Sequence, residues 1–508
     1  MFSGLIAFGH SIWSFVTPES LFYVFGSTLI GLVIGALPGL TATMGLALMT
    51  TLTLKMQPAQ ALLVLICTYV GAIYGGSRSA ILLNIPGTPA SAASCLDGYA
   101  LARQGHAGRA MGIATSGSVL GTLIGMFFLA LFTPLLGELA LKFGAYEFFW
   151  LAVFGVVISG TLTGDDPLKG WMAGFLGLFV AGIGQEAIYA FDRFTFGNRD
   201  LAGGIALVPA LVGAFGFAEL LTVMKTQQAP VKINPFDSVI PKLVDVTRHW
   251  RTILRSGCIG TFIGVVPGVG EDVAAWSSYA AAKRASKEPE MFGKGSIEGL
   301  MAAETGDNAC VPGAVIPVLT LAIPGSAPAA VLMAAMLIHG VQPGPMIMIQ
   351  SPQFVYDVVA MMLFATLGIL FYGLTLTKLM VRVLQVPQTV MVPIILVLCT
   401  VGSFAIAGRL FDIWVMLGFG ILGFILRQGN YPMAPLVLGI VLGDLLEKSL
   451  RRGLVLSDGS LAPFFTRPIS LVIWVGIALI VALRFEAVRS LFRRLRPASA
   501  RAPSASKE

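Results

Sequence analysis

The chain alternates between long apolar segments and short polar loops, and several of the apolar segments are interrupted by Pro-Gly. Together the segments leave room for about a dozen spans of the roughly 20 residues that a helix needs to cross a bilayer. The apolar runs are continuous rather than alternating, which excludes a membrane β-barrel. The pattern therefore predicts an all-α polytopic membrane protein with about a dozen membrane segments. In the first half the segments lie near residues 20–54, 60–83, 111–134, 146–162, 170–189 and 203–223, and in the second half near 256–281, 309–323, 327–349, 354–377, 387–407, 411–427, 432–446 and 469–485.

One interrupted segment occurs twice. Ile30–Leu40 and Ile259–Val269 are identical at six of eleven positions at an offset of 229 (259 minus 30), and each ends an apolar helix at Pro-Gly. A second break follows each copy, at Asn84–Thr88 and at Ala322–Ser326. Interrupted hydrophobic segments at corresponding places of two halves are the best sequence indication of a transporter's binding site. The duplication therefore predicts two repeats whose breaks converge near the bilayer midplane.

Composition agrees with a membrane protein. Of 508 residues, 56% are hydrophobic and 12% are charged, and the mean hydropathy is +0.84, whereas roughly a quarter of a soluble domain's residues are charged. The net charge of +7 comes mostly from Lys and Arg in loops and near the C-terminus, so it reports membrane orientation and predicts no nucleic-acid partner. The four histidines are scattered and the five cysteines stand singly, which predicts no cofactor, disulfide or catalytic metal site.

The distribution of basic residues predicts the topology, because Lys and Arg accumulate in cytoplasmic loops. The second broken segment leaves a basic linker and ends at Lys283, so both of its ends are expected to be cytoplasmic. A single span separates the first broken segment from the basic Arg103 loop, so its end near Lys55 is expected outside. Two inverted-topology repeats follow, with an elevator-like movement of the broken helices or hairpins against a scaffold. The basic regions are Arg103 with Arg109, residues 225–255, residues 283–294 and residues 484–496.

Four regions follow from this topology. We expect a first membrane repeat with accessory helices over residues 1–224 and a basic cytoplasmic linker over residues 225–255. A second membrane repeat with accessory helices is expected over residues 256–486. The remainder, residues 487–508, is rich in Arg, Ser, Ala and Pro, which predicts a disordered cytoplasmic tail.

The first pair of breaks is predicted to bind the coupling ion. A helix that ends inside the membrane leaves backbone groups unpaired, and lipid cannot satisfy them. Free carbonyl groups beside hydroxyls or carboxylates suit Na⁺, and a restarting helix offers N–H groups to an anion. The alternative is a proline kink with a GxxxG face used only for helix packing. The candidate ion-coupling residues are Gly39, Thr41, Thr43, Gly268, Gly270, Glu271 and Asp272.

The second pair of breaks is predicted to bind substrate, since small residues permit close backbone approach and hydroxyl or amide groups can hold a carboxylate. Arg78 is costly within an apolar segment, so it is either interfacial and snorkelling or part of an ion pair with substrate or protein. Glu304 is either an acid of an exposed loop or a site residue. The candidate substrate-binding residues are Asn84, Gly87, Thr88, Ser91, Asn308, Gly325 and Ser326.

Two other functions remain open at this point. Gly268–Glu271 is similar to the GxGD turn of intramembrane aspartyl proteases, and Asp165 with Asp166 offers a distant carboxylate. The turn carries Glu where Asp is expected, however, and no pattern places a second acid opposite it. A passive anion channel is the other alternative, because channels and alternating-access transporters both use broken helices.

At these residues the chain resembles the TctA family, the large membrane subunit of the tripartite tricarboxylate transporters. The resemblance covers nearly the whole chain. The matching stretches are Gly31–Leu40, Tyr69–Ser77 through Asn84–Pro89, Asp97–Tyr99, Gly105–Ala110, Pro267–Gly270, Tyr279 with Lys283 and Arg284, Phe292–Gly295, Glu304–Asn308, Ile323–Ser326, Gly340–Pro345, Pro435–Gly439, Leu442 with Gly443, Glu447, and Arg467 with Pro468.

The resemblance implies uptake of a small di- or tricarboxylate across the bacterial inner membrane, driven by a Na⁺ or H⁺ gradient. It implies two partners, a TctC-like periplasmic substrate-binding protein and a small TctB-like membrane subunit. The chain departs from the family pattern at Asp307–Asn308, where paired asparagines are frequent, and at Glu271–Asp272, where small or hydroxyl residues are frequent. We expect these extra acids to select a different substrate or to carry protons.

Overall fold

A computed structural model describes residues 2–37, 40–163, 166–186, 190–225, 238–376 and 388–482, with the isolated positions 380, 382, 384 and 386. The first half contains α1 (Phe2–Phe15), α2 (Pro18–Ala36), α3 (Ala42–Leu52), α4 (Pro58–Leu83), α5 (Ala107–Ala140), α6 (Ala145–Leu162), α7 (Pro167–Ala181) and α8 (Leu207–Lys225). The second half contains α9 (Trp250–Val265), α10 (Gly270–Ala285), α11 (Ile297–Leu321), α12 (Ala327–Ile338), α13 (Phe354–Thr375), α14 (Gln388–Ala407), α15 (Leu410–Gln428), α16 (Met433–Leu456) and α17 (Pro468–Ala482).

Short elements connect these helices. Strands β1 (Gly184–Gln185) and β2 (Asp192–Arg193) pair antiparallel. Short helical turns lie at Pro89–Ser91, Ala92–Ser94, Cys95–Tyr99, Ala100–Arg103, Arg199–Ala202, Leu243–Arg248, Pro289–Met291, Ile347–Gln350 and Ala462–Thr466. Within α8, Val212–Phe217 forms a π-helical turn.

The predicted fold class, an all-α polytopic membrane protein, is confirmed. Among the described residues, eight helices are long and apolar enough to cross a membrane: α2, α4, α5, α6, α8, α13, the Val390–Ala407 part of α14, and α15. Four shorter apolar helices are α3, α7, α12 and α17. The exact number of spans, the inverted orientation of the repeats and the elevator movement stay predictions, as do the four regional boundaries.

The duplicated segments pack in equivalent ways. In the first half α2 lies against α4, where a Cβ at Gly35 would overlap the carbonyl oxygen of Ala72. In the second half α9 lies against α11, where a Cβ at Gly264 would overlap the carbonyl oxygen of Cys310. Small residues allow helix backbones to approach this closely in a membrane. The GxxxG faces therefore do serve helix packing, as the alternative interpretation proposed, although packing is not all that follows from the duplication.

The second breaks also repeat. Asn84 ends α4 and Ala322 follows α11 with left-handed φ values of 57° and 56°. The chain then turns back, so that the Gly87 N–H donates to the carbonyl of Gly76 at 3.4 Å and the Gly325 N–H donates to that of Ala314 at 3.3 Å. Each turn thus lies against the helix that it has just left.

The largest difference between the predicted and observed segments is at α11. The apolar pattern predicts a membrane segment from residue 309, but the helix begins at Ile297. Glu304, Asp307 and Asn308 consequently lie inside a helix and are fully buried, and the exposed-loop interpretation of Glu304 is wrong. The physical reason is that Ser94 and Ser118, on neighbouring helical elements, donate hydrogen bonds to the Glu304 carboxylate, which hydropathy along a single segment does not reveal.

The described part of the linker is attached to the first half. Leu243–Arg248 forms a short helix, and Arg109 on α5 donates to both carboxylate oxygens of Asp245 at 2.9 and 2.7 Å. The Arg109 guanidinium lowers the pKa of Asp245. Residues 226–237 of the predicted linker and all of the predicted tail lie outside the described residues.

Candidate functional site

A cavity of about 470 Å³ lies where the breaks of both halves meet. Its walls come from the first and second breaks on one side and from α6, α8, α15 and α16 on the other. Its lining residues are Thr41, Ala42, Thr43, Ile73, Pro86, Gly87, Thr88, Pro89, Ala90, Thr163, Phe215, Glu219, Gly268, Val269, Gly270, Glu271, Asp272, Ala327, Pro328, Arg427, Pro432, Met433 and Ala434. Residues far apart in sequence therefore form one concave site, as the paired breaks predicted. A volume in this range suits a small organic molecule.

Four helices begin at this cavity. The N-terminal residues of α3, α10, α12 and α16 all contribute to its lining. The first N–H groups of a helix lack intrahelical partners and the N-terminal end carries a partial positive charge, so these ends favour anions. The backbone of the cavity wall is therefore suited to an anionic ligand.

The predicted ion-coupling residues that the structure describes all line the cavity. Thr41 caps α3 by accepting the Met44 N–H at 3.2 Å, and Thr43 follows in the first turn of that helix. Gly268 and Gly270 adopt φ values of +71° and +79°, which L side chains rarely adopt, and α10 then begins with Glu271 and Asp272. Gly39 lies outside the described residues. The location of these residues is established, whereas their role in ion coupling stays a prediction.

Apart from Asn84, the predicted substrate-binding residues divide into two groups. Gly87 and Thr88 line the cavity. Asn84 is exposed and serves as the left-handed end of α4. Ser91, Asn308, Gly325 and Ser326 are buried behind the cavity wall and do not contribute to its lining. Direct substrate contact by the second group would need a rearrangement of the wall, so their substrate-binding role remains a prediction.

Tyr69 joins the two halves beside the cavity. Its hydroxyl on α4 donates to Oε1 of the buried Glu271 and lies 2.7 Å from the Ser326 hydroxyl. Because the Tyr69 proton is used for Glu271, Ser326 must donate its own proton to the Tyr69 oxygen. Ser326 also caps α12 by accepting the Ala329 N–H at 3.3 Å. One side chain thus holds both breaks of the second half against the first half.

An ion pair missed by the sequence analysis forms the opposite wall. Arg427, in the last turn of α15, contacts the carboxylate of Glu219 on α8, and both residues line the cavity. Arg427 is the one cationic side chain among the described lining residues. An ionisable residue within an apolar segment is by default a functional candidate, and that signal was present at the ends of the segments near residues 203–223 and 411–427.

A polar network lies behind the second breaks. Glu304 accepts hydrogen bonds from Ser94 at 2.5 Å and from Ser118 at 3.0 Å, so its carboxylate is held by both the first-half turns and α5. Arg78 is buried, lies 4.1 Å above the ring centre of Tyr74, and donates to the hydroxyl of Thr115 at 3.3 Å. The snorkelling interpretation of Arg78 is therefore wrong, and its positive charge belongs to the protein interior.

The observed positions give little support to a protease. Asp166 is exposed and caps α7 by accepting the Leu168 N–H at 2.9 Å, and it does not line the cavity. Asp165 lies outside the described residues. Within the described part of the chain, no group of three or more His, Cys, Asp or Glu side chains is arranged to hold a metal ion.

Comparison with known proteins gives one family. The sequence model of the tripartite tricarboxylate transporter TctA family matches residues 21–438. An Agrobacterium vitis protein described as an uncharacterized 52.8 kDa protein in the TAR-I ttuC' 3' region is 36% identical over 477 residues, which cover 94% of this chain and 95% of that protein. An uncharacterized protein in the TAR-II ttuC' 3' region of the same organism is 34% identical over 232 residues, which cover 46% of this chain and 96% of that protein.

Proposed function

This chain belongs to the tripartite tricarboxylate transporter TctA family, and on that premise we propose that it is the permease subunit for a small di- or tricarboxylate. Uptake proceeds across the bacterial inner membrane and is driven by a Na⁺ or H⁺ gradient. A TctC-like periplasmic binding protein delivers the substrate, and a small TctB-like membrane subunit completes the complex. TctA is a family of membrane transporters rather than enzymes.

The cavity is the observation that supports a carboxylate substrate. Four helix N-termini and the Arg427 guanidinium meet there, and both bind carboxylates well because they present N–H donors and positive charge. In the structure the Glu219 carboxylate contacts Arg427. We infer that a substrate carboxylate takes the place of Glu219 on Arg427, while a second carboxylate contacts the N-terminus of α3, whose first turn carries no acidic residue.

The repeated contacts of α2 with α4 and of α9 with α11 support a transport mechanism built on two similar units. In the proposed mechanism the units have inverted orientations, and the broken elements move as a body against the helices that carry Glu219 and Arg427. The residues of the first breaks then travel with the substrate.

A topology measurement tests the inverted orientation. Reporter domains fused after Lys55, between α3 and α4, and after Lys287, beyond α10, are expected to lie on opposite faces of the membrane. A phosphatase that is active outside and a fluorescent protein that is active inside report the two faces. If both reporters lie on the same face, the repeats are parallel and the proposed mechanism fails.

The function itself is tested by uptake into membrane vesicles that contain the full chain together with a TctB-like membrane subunit and a TctC-like binding protein. Radiolabelled succinate, malate, tartrate and citrate serve as probes, since they cover small di- and tricarboxylates. At least one of them is expected to accumulate above its external concentration only while an ion gradient is present. Flux that only equilibrates the probe, with no dependence on the gradient, would instead identify a passive channel.

A further inference from the structure

Two oxygen atoms on α11 have no hydrogen-bond donor to meet them. Asp307 and Asn308 are fully buried, and the Asn308 Nδ2 donates to the Asp307 Oδ1 at 2.6 Å. Among the described residues, Oδ2 of Asp307 and Oδ1 of Asn308 have no partner. Buried polar atoms are almost always satisfied, so such exceptions on neighbouring side chains call for an explanation. Both atoms are acceptors, so a hydrogen-bond donor, a proton or a cation would satisfy them.

The charged groups around Asp307 also indicate that it binds a cation or a proton. The ionisable groups that face Asp307 are Glu304 and Cys310 on its own helix and Glu271 on α10. The charge of Arg78 acts on Glu304. No cationic side chain in the described ranges forms an ion pair with Asp307. An unpaired carboxylate is expensive in a membrane interior, so Asp307 needs a bound positive charge that the protein itself does not supply.

The internal repeat indicates a third oxygen for this site. Asp307 corresponds to Tyr69 at an offset of 238 (307 minus 69), and Ser326 corresponds to Thr88 at the same offset (326 minus 88). Tyr69 contacts Ser326, and α11 packs against the turn Pro89–Ser91 that follows Thr88. The Thr88 Oγ1 is itself buried without a partner in the described part of the chain. By this correspondence, Thr88 is expected to lie beside Asp307 as Ser326 lies beside Tyr69.

We propose that the Asp307 carboxylate, the Asn308 amide oxygen and the Thr88 hydroxyl bind the coupling cation, which is Na⁺ or a proton. Oxygen atoms of this kind are the donors that hard cations prefer. Thr88 also lines the substrate cavity, so the cation and the substrate meet at one residue and each is positioned to favour binding of the other. This inference rests on the proposed function, because a coupling cation presupposes transport.

The first test measures cation binding without any substrate. The purified full chain is unfolded thermally in NaCl and in choline chloride at equal ionic strength, with Asp307→Asn compared with wild type. If the cation is Na⁺, about 100 mM NaCl is expected to raise the wild-type unfolding temperature by several degrees and to leave Asp307→Asn unchanged. Glu298→Gln is the matched control, because Glu298 lies on the same helix and bonds to Thr252 and Ser286. It is expected to retain the response to Na⁺.

The second test shows whether the bound cation is a proton rather than Na⁺. If the cation is H⁺, Na⁺ has no effect, and the wild-type unfolding temperature falls as the pH rises above the ordinary pKa of a carboxyl group, because the unfolded chain then releases the proton that folded Asp307 retains. Asp307→Asn is expected to remove that fall and Glu298→Gln to keep it. If Asp307→Asn does not fold, Asp307→Glu keeps the charge at a displaced position, and its response is expected at cation concentrations at least tenfold higher.

Two results overturn the proposal: a wild-type protein that responds neither to Na⁺ nor to pH, and an Asp307→Asn variant that responds as the wild type does. Both measurements follow unfolding rather than uptake. A protein that binds the cation through Asp307 but accumulates no carboxylate would therefore contradict the proposed function and leave this site intact.

Discussion

Replacing Arg427 by glutamine is expected to lower carboxylate uptake at limiting substrate by more than about tenfold while the protein still inserts and folds. Arg427 is the one cationic side chain among the described residues of the cavity wall, and it lies within α15 in contact with Glu219. Loss of one partner of a hydrogen-bonded charge pair costs at least about 2 kcal/mol, which corresponds to roughly 30-fold in affinity. The measurement is the dependence of the uptake rate on substrate concentration, and we expect the loss of affinity to appear as an increase in KM.

Variants of the same ion pair separate binding from packing. Arg427→Lys keeps the charge but loses the planar fork, so we expect an intermediate loss of affinity. Glu219→Gln removes the carboxylate that competes with substrate for Arg427, so this variant is expected to bind substrate more tightly. If the ion pair were purely structural, Glu219→Gln and Arg427→Gln would instead lose activity to the same extent. Lys448→Gln removes an exposed charge that pairs with Asp444 and controls for net charge. Wild-type KM in Arg427→Gln would remove Arg427 from the substrate site.

The general fold and the meeting of the breaks could be predicted because their signals are local. Pro-Gly after an apolar run ends a helix in the membrane, and the same run appearing twice implies the same packing twice. The structure bears this out in detail, since the contacts of Gly35 with Ala72 recur as those of Gly264 with Cys310. Glycine at the breaks also marks where the chain leaves no room for a side chain: Gly87 lies against the carbonyl oxygen of Gly35, and Gly268 adopts a φ of +71°.

The rest depends on contacts between residues far apart in the chain. Tyr69 bonds to Glu271 across 202 positions, and no spacing rule connects a tyrosine in an apolar helix with an acid in the other half. Arg427 and Glu219 are separated in the same way. The early start of α11 was missed because hydropathy treats Glu304 as incompatible with a membrane helix, although Ser94 and Ser118 satisfy its carboxylate.

Motif resemblance carried information that local pattern did not. The stretches Asp97–Tyr99 and Phe292–Gly295 were matched to the family separately, and the structure brings them together. Oδ1 of the buried Asp97 accepts the N–H groups of Gly293, Gly295 and Ser296 at 2.8, 2.9 and 2.8 Å. Oδ2 accepts the Tyr279 hydroxyl at 2.9 Å. This carboxylate joins the first half of the molecule to the loop that leads into α11.

Asp97→Ala is accordingly expected to destabilise the folded protein strongly. It leaves three backbone N–H groups and the Tyr279 hydroxyl without their acceptor, and a buried donor without a partner costs about 1 to 3 kcal/mol. The N–H groups of Gly293 and Gly295 are only partly buried, so water can replace part of the lost bonding. We therefore expect a total loss of about 3 kcal/mol rather than the sum for four fully buried donors. The measurement is the apparent unfolding temperature in detergent, with an expected decrease of roughly 3 °C.

Two further variants show whether the lost acceptor is the cause. Asp97→Asn retains an oxygen for the three N–H groups, and its amide can donate to Tyr279 instead, so most of the stability is expected to remain. Tyr279→Phe removes one hydrogen bond and is expected to cost about 1 kcal/mol. If Asp97→Asn is as unstable as Asp97→Ala, the negative charge matters more than the acceptor. If neither Asp97→Ala nor Asp97→Asn lowers the unfolding temperature, the Asp97 hydrogen bonds do not hold the two halves together. The loop before α11 must then be positioned by the packing of Phe292 against Tyr279.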